Sequence, residues 1–238
     1  MNEQLFFAEY SGSKHIELDE QDSRHCYKVL RKKAGDTIQI TDGKGNAIRG
    51  VLLETTPRRC VAEVREIVEM PLPAYTLSIG VGMPSHPQRL EWMLEKLTEL
   101  NVTNIFLLKT ERVQPLHYKQ ERLNKIIISA MKQSLQFYMP ALEIEKPLSA
   151  FTDFFHTFKE DERQGLSGSC DKAAPALKTV FEKNKKNYFA LIGPEGDFTE
   201  SEERHISSSG FYPISLSNNR LRTETAAISI VNGIHLQQ

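Results

Sequence analysis

The sequence predicts an α/β fold in which a mostly parallel sheet is covered by helices and preceded by a small β-rich unit. From residue 75 onward, short apolar runs alternate with amphipathic helical stretches, the order typical of such a sheet. Before residue 70 the pattern is one of short alternating strands. Between them, the segment 71–73 has the composition of a short stiff linker. We therefore predict two domains, 1–72 and 73–238.

The N-terminal domain is predicted to hold four strands and one helix. The helix runs from Asp19 to Leu30, with Asp19 as its cap. A turn at Asp42 and Gly43 joins two of the strands. The predicted strands are 5–7, 37–41, 47–54 and 59–68.

The C-terminal domain is predicted to alternate strands and helices. Apolar runs predict strands at 75–81, 105–108, 188–192 and 213–216. Helical stripes cover 90–100 and 123–131, a capping box opens a helix at Thr199, and a last helix starts near Glu224. Residues 145–187 show no clear pattern. Trp92 and the aromatic residues of 151–158 are expected in the core.

The composition, net charge and cysteine spacing limit the kinds of protein that this chain can be. The chain has 238 residues, 39% of them hydrophobic and 26% charged, with a net charge of −1, so any nucleic acid must bind through local basic patches. Three cysteines lie far apart without metal-ligand spacing, which predicts reduced thiols in a cytoplasm and no metal site. No signal-peptide pattern and no apolar run near 20 residues is present, so no membrane association is predicted.

Two segments near the C-terminus carry most of the functional information. The first is LIGPEGDF at 191–198, and the second is LSNNRLRTETAA at 216–227. Each follows an apolar run that predicts a buried strand, and loops after parallel strands can build one pocket at a sheet edge. Considered alone, the first is also compatible with a tight turn into a helix, and the second with a capped helix beside solvated arginines.

Together these segments resemble the RsmE family of SPOUT-class methyltransferases, which act on N3 of a uridine in small-subunit ribosomal RNA. Further matches are EKLTELNV at 95–102, TER at 110–112 and MKQS at 131–134. In the N-terminal part, His25, the run 29–31, the pair 35–36 and the pair 42–43 also match. The resemblance covers nearly the whole chain in the family's order.

The resemblance implies an N-terminal PUA-like β-barrel domain that binds RNA and a C-terminal SPOUT α/β domain with a trefoil knot. It implies S-adenosyl-L-methionine as cofactor, 16S rRNA as substrate and a cytoplasmic homodimer. The helix at 90–100 and the C-terminal helix would contribute to the dimer interface. The alternatives are a SPOUT enzyme that methylates a ribose 2′-hydroxyl, or a non-catalytic RNA-binding assembly factor.

The resemblance also assigns candidate site residues. Arg222 is the first catalytic candidate, because a guanidinium can stabilise the charge that develops on the uracil oxygens; Arg220 is the second, and Glu224 is a candidate base or orienting group. The predicted cofactor-binding residues are Leu191, Gly193, Glu195, Gly196, Leu216, Asn219, Leu221 and Ala226. The predicted RNA-binding residues are Arg24, Lys28, Arg31, Lys32 and Lys33, supported by Arg58 and Arg59; a solvated helix face is the alternative for this cluster.

The chain departs from the family pattern at several positions. Asn101 and Asp197 stand where the family often has glycine, and Asn218 and Asn219 replace the more usual glycine-containing pair. Gln136 stands where an arginine is common, and the segment 85–87 lacks a common lysine. The last two departures bear on RNA contacts more than on the cofactor. His25 is predicted as a packed histidine in preference to a base contact.

Overall fold

The computed structural model describes residues 4–112, 118–171 and 173–238. It divides into an N-terminal unit, Met1–Leu72 with Ile128–Met139, and a C-terminal unit, Pro73–Ile127 with Pro140–Gln238. Residues 128–139, which the sequence placed in the second domain, are thus grouped with the first unit. No helix among the described residues is long and apolar enough to cross a membrane.

The N-terminal unit contains a five-stranded sheet. In the order β1-β3-β4-β5-β2, the central strands are antiparallel, β2 is antiparallel to β5, and β1 runs parallel to β3. The turn predicted at Asp42 is confirmed, since its carboxylate accepts from the Lys44 amide at 2.9 Å and Gly43 takes a φ of 72°. The strands are β1 (Leu5–Phe7), β2 (His15–Leu18), β3 (Thr37–Thr41), β4 (Asn46–Thr55) and β5 (Cys60–Glu69).

The β-barrel predicted for this domain is not shown: among the described residues, β1 and β2 are the two edges of an open sheet. These edge strands have only three and four residues. The helical segment after β2 covers the core instead: Cys26 is fully buried, and the Ser23 hydroxyl accepts from the Cys60 amide at 2.9 Å while donating to the Leu18 carbonyl at 3.2 Å.

The helix predicted over 19–30 changes its winding part of the way along. Asp19 caps α1 (Glu20–Arg24), as predicted, by accepting from the Asp22 amide at 2.6 Å. The chain then forms a π-helical turn at His25–Val29, and Arg31 adopts a left-handed φ of 54°. Such turns are frequent at functional sites, and this one carries part of the basic cluster predicted to bind RNA.

The C-terminal unit contains a six-stranded sheet that is parallel throughout, which confirms the predicted sheet type. Its order is β11-β9-β10-β6-β7-β8. The strands are β6 (Thr76–Gly82), β7 (Asn104–Lys109), β8 (Ala141–Pro147), β9 (Arg163–Ser169), β10 (Asn187–Ile192) and β11 (Phe211–Ser215). Four of them match the predicted strands, whereas the sequence pattern missed β8 and β9.

Helices bury apolar residues against both faces of this sheet. One core combines Leu94 of α2 and Ile230 of α7 with Ile79 of β6, and a second combines Phe151 and Phe155 with Phe189 of β10. The aromatic residues near 151 are therefore in the core as predicted, but Trp92 is wrongly placed by the prediction, being 45% exposed. The helices are α2 (Pro87–Glu99), α3 (Gln120–Gln133), α4 (Leu148–His156), α5 (Leu177–Val180), α6 (Glu200–Ser208) and α7 (Thr223–His235).

Candidate active site

The two loops that the sequence singled out enclose one cavity. The loops follow β10 and β11, whose carboxyl ends lie at one edge of the parallel sheet. The Thr223 hydroxyl donates to the Gly193 carbonyl at 3.2 Å, and the Arg220 guanidinium lies 3.5 Å from the Glu195 carbonyl. The prediction that the two loops meet is confirmed. The cavity has a volume of about 560 Å³.

Most of the predicted cofactor and catalytic residues line this cavity. From the first loop come Gly193 and Glu195; from the second come Leu216, Asn219, Arg220, Leu221, Arg222 and Ala226. Leu191 and Gly196 do not line it. Leu191 is fully buried in the core on the α4 face, and Gly196 faces Arg112, whose side chain a Cβ at Gly196 would meet at 3.3 Å.

A third wall of the cavity was missed by the sequence analysis. Gly168, Ser169, Cys170 and Asp171, at the end of β9 and just beyond it, also line the cavity. A Cβ on Gly168 would crowd two side chains of the cavity wall, lying 2.7 Å from Ile192 Cδ1 and 3.2 Å from Leu216 Cδ1. The one signal available in the sequence was the glycine and serine content of 165–169.

The first loop is shaped by close backbone approaches. A Cβ on Gly193 would lie 2.9 Å from Asp197 Oδ1, and that oxygen accepts from the Phe198 amide at 2.9 Å. A Cβ on Gly82 of β6 would lie only 2.4 Å from the nitrogen of Pro194. Asp197 itself takes a left-handed φ of 62°, a conformation that aspartate tolerates better than most residues. Glycines are therefore required where the loop crosses the sheet edge.

Arg112 fastens the first loop from the other side. Its guanidinium donates to the Gly196 carbonyl at 2.7 Å and to the Phe198 carbonyl at 3.3 Å. The neighbouring Glu111 amide donates to Glu202 of α6 at 2.9 Å. The TER segment at 110–112, quoted above only as a family match, thus acts as a brace for the loop.

Glu224 and Glu195 share one cation, which the sequence analysis did not identify. Arg89, in the first turn of α2, places Nη1 3.0 Å from Glu195 Oε1 and Nε 3.7 Å from Glu224 Oε1. Glu224 is only 6% exposed and does not line the cavity. Arg222, by contrast, is exposed at the cavity, and no hydrogen bond or ion pair holds its side chain within the described part of the chain.

Tyr118 lies beside the same group of acids. Its hydroxyl donates to the Pro84 carbonyl at 3.3 Å. Burial raises the pKa of Tyr118 above its usual value, and the negative charges of Glu91 and Glu195 raise it further. The phenol therefore stays protonated and acts as a hydrogen-bond donor near neutral pH.

The predicted RNA-binding residues all lie in the N-terminal unit. Four of them, Arg24, Lys28, Arg31 and Lys33, are exposed. Lys32 is half-buried, donates to the Thr37 carbonyl at 3.2 Å, and lines a separate cavity of about 630 Å³ with Leu30 and Arg49. His25 is partly buried with its ring 6.4 Å from that of Phe6.

Of the two supporting arginines, only Arg58 has no ion-pair partner among the described residues. Arg59 lies 3.1 Å from Glu17 and 2.7 Å from Glu54. These two carboxylates raise the pKa of Arg59, and the hydrogen bond that Arg59 donates to Glu17 contributes most. Arg59 therefore contributes little free positive charge to an RNA surface, whereas Arg58 is exposed.

Comparison with known proteins identifies the family. An RNA methyltransferase domain model matches residues 70–235, and an RNA methyltransferase PUA domain model matches residues 18–65. The chain is 29% identical, over 233 residues, to ribosomal RNA small subunit methyltransferase E of Aquifex aeolicus, covering 96% of this chain and 97% of that protein.

Solved structures agree with this result. A probable rRNA-methyltransferase from Porphyromonas gingivalis superposes with a TM-score of 0.87 at 32% identity, covering 99% of this chain and 98% of that one. Ribosomal RNA small subunit methyltransferase E from Neisseria gonorrhoeae, bound to S-adenosyl methionine, superposes with a TM-score of 0.82 at 26% identity, covering 98% and 97%. The chain therefore belongs to the RNA methyltransferase family that includes ribosomal RNA small subunit methyltransferase E.

Proposed function

We propose that this protein transfers a methyl group from S-adenosyl-L-methionine to N3 of a uridine in the 16S rRNA of the small ribosomal subunit. The observation that carries the proposal is the shared cavity: two loops and the end of β9 enclose about 560 Å³ beside Arg220 and Arg222, in a chain of the RNA methyltransferase family. A volume of this size is ordinary for a site that binds a small molecule.

The residues of the cavity fit this cofactor. Gly168 and Gly193 line the cavity without side chains, so their backbone groups can approach a ligand closely. Leu216, Leu221 and Ala226 supply apolar surface for an adenosyl group. We assign cofactor contact to these residues together with Glu195 and Asn219. Leu191 and Gly196 would support this surface from behind, Leu191 by its packing in the core and Gly196 by its contact with Arg112.

The cofactor supplies an electrophilic methyl group, and the protein must hold the acceptor in line with it, about 3–3.5 Å away. Uridine N3 is a poor nucleophile until it loses its proton, after which negative charge spreads to the two carbonyl oxygens. Arg222 is exposed at the cavity and unpaired among the described residues, which supports the proposal that it stabilises that charge. Arg220, near the Glu195 carbonyl, is the second candidate.

The role proposed for Glu224 is orienting. Its carboxylate is buried, is absent from the cavity lining and faces Arg89. A general base must come within hydrogen-bond reach of the proton it removes, and a residue behind the cavity wall is poorly placed for that. The orienting role, which the sequence left open beside a base, is therefore favoured.

The proposal also covers RNA binding, the knot in the chain, the oligomeric state and the cellular location. The exposed basic cluster of the N-terminal unit would grip RNA phosphates, which makes binding sensitive to salt. We further propose the trefoil knot of the SPOUT class, a homodimer formed through α2 and α7, and a cytoplasmic location. These parts rest on the family resemblance.

Modification mapping of 16S rRNA tests the function. Small subunits from cells lacking this protein would be incubated with purified protein and methyl-labelled cofactor, and the RNA digested for mass spectrometry. The expected result is one new methylated uridine whose base, not its ribose, carries the label. Methylation of a ribose 2′-hydroxyl, or RNA binding without label transfer, would replace the proposal by one of the two alternatives.

A further inference from the structure

The geometry points to Arg89 as a positioning residue for methyl transfer: its guanidinium holds Glu195 of the first loop and Glu224 of α7 in fixed places beside the cavity. The inference rests on the proposed function and extends it to a residue outside the cavity lining. The side chain would act through the two glutamates, without touching cofactor or uridine.

Arg89 contacts the two acids through different nitrogens. Nη1 donates to Glu195 Oε1 at 3.0 Å, and Nε lies 3.7 Å from Glu224 Oε1. The second oxygen of Glu195 accepts from the Ser85 hydroxyl. Both oxygens of Glu195 are thus held, one by Ser85 just before α2 and one by Arg89 in its first turn, which fixes the orientation of a cavity-lining carboxylate.

Glu224 depends on Arg89 for its charge compensation. Its carboxylate is buried, and Oε2 has no hydrogen-bond partner in the described residues. Among the described ion pairs, Glu224 appears only with Arg89. An unpaired buried carboxylate is strongly unfavourable, whereas one facing a guanidinium is tolerated. Removing Arg89 would force the first turn of α7 to rearrange.

A rearrangement of the first turn of α7 would displace the two catalytic candidates, Arg220 and Arg222. Arg222 is the residue immediately before α7, and Arg220 lies 3.5 Å from the carbonyl of Glu195. Movement of either glutamate therefore shifts a guanidinium proposed to face the uracil oxygens. Misplacement of such a group lowers turnover more than it weakens ground-state binding.

Three variants separate positioning from mere packing. Arg89→Met keeps the length of the side chain and removes its charge. Arg89→Lys keeps the charge but replaces the planar guanidinium by one ammonium group, so it loses the geometry that places separate nitrogens on the two acids. Arg204→Met is the matched control, because Arg204 is exposed on α6 and its Nε donates only to the carbonyl of Glu200, at 3.2 Å, among the described residues.

The kinetic test measures methyl transfer to small subunits and cofactor affinity by calorimetry. Arg89→Met should lower kcat at least tenfold and raise the cofactor Kd by a smaller factor, through the freed Glu195. The kcat of Arg89→Lys should lie between those of Arg89→Met and the wild type, and Arg204→Met should match the wild type. If Arg89→Met matches Arg204→Met while the wild type is active, the inference is wrong. An inactive wild type would instead count against the proposed function.

A thermal double-mutant cycle tests the geometry without activity. Arg89→Met should lower Tm in the wild-type background, and this loss should shrink by at least half in a Glu224→Gln background, where no buried charge needs a partner. Equal losses in both backgrounds would overturn the claim that Arg89 serves Glu224. The result is interpretable for any variant that folds, including the more conservative Arg89→Lys.

Discussion

Replacing Gly193 by alanine should weaken cofactor binding by a predictable amount. The added Cβ would lie 2.9 Å from Asp197 Oδ1 and 3.3 Å from Phe198 Cδ2. Rotating the Asp197 side chain away is costly, since the same oxygen accepts from the Phe198 amide at 2.9 Å. Overpacking of this kind costs about 1–3 kcal/mol. The loop lines the cavity and relieves the crowding by moving. This movement displaces cofactor-binding residues, so we expect the free-energy cost to appear mainly as weaker cofactor binding.

At about 1.4 kcal/mol per tenfold change, that cost corresponds to a rise in cofactor Kd of about 5- to 150-fold. Isothermal titration calorimetry measures it directly. A second substitution, Asp197→Gly, removes the crowding oxygen and relieves the left-handed φ of 62° at that position. The double variant Gly193→Ala/Asp197→Gly should therefore recover part of the lost affinity, but not all of it, because the contact with Phe198 remains.

Gly233→Ala is the matched control for crowding alone. A Cβ there would lie 2.8 Å from Leu177 Cδ2, yet Gly233 is in α7 away from the cavity lining. This variant should change Tm without changing cofactor Kd. A Gly193→Ala protein whose Kd stays within twofold of the wild type would refute the assignment of this loop to the cofactor.

Three further predictions follow from the same site. Arg222→Ala should leave cofactor Kd within threefold and lower turnover by about 100-fold or more; unchanged turnover in a methyl-transfer assay would remove Arg222 from the mechanism. Iodoacetamide at pH 8 should label the exposed Cys170, and bound cofactor should slow this labelling, measured by mass spectrometry. Cys26 and Cys60 should react slowly because both are buried. Burial, and to a smaller extent the neighbouring Cys60, also raises the pKa of Cys26 to about 12. Equal labelling with and without cofactor would place the ligand elsewhere. Arg112→Met loses two hydrogen bonds to loop carbonyls. The free energy of unfolding should fall by about 1–2 kcal/mol, which corresponds to a decrease in Tm of about 2–8 °C. An unchanged Tm in calorimetry would mean that these two hydrogen bonds do not stabilise the protein.

Much of this architecture could be predicted from local sequence. The strands β6, β7, β10 and β11 begin and end near the limits of apolar runs, and the capping box at Thr199 is present as predicted, with its side chain accepting from the Glu202 amide at 3.3 Å. These features depend on residues a few positions apart. Local chemistry therefore determines them whatever the rest of the chain does.

Other features depend on partners that are distant in sequence. Arg112 reaches a carbonyl 84 residues further along, and Arg89 meets Glu195 across 106 residues. Nothing in the sequence around either arginine indicates these partners. The π-helical turn at His25–Val29 likewise interrupts a segment whose local pattern favoured one continuous helix. No propensity rule identifies such contacts before the topology is known.

The strand order explains why the missed strand β9 is nevertheless essential to the site. The loops that enclose the cavity follow β10 and β11, and these strands are not neighbours, because β9 lies between them. Strands in a sheet are about 4.8 Å apart, so the loops start about 10 Å from each other. They can meet only above the end of β9, and a large side chain there would keep them apart.

That requirement accounts for the unusual composition of β9. Gly165 leaves room for the ring of Phe211, whose Cδ1 a Cβ would meet at 3.0 Å, and Gly168 leaves room for Ile192 and Leu216. The strand is therefore buried by its neighbours while lacking the apolar run by which buried strands are recognised. Two loops that form one pocket across an intervening strand imply small residues at the end of that strand. A glycine- and serine-rich segment in the unpatterned stretch between 145 and 187 was the place to look for it.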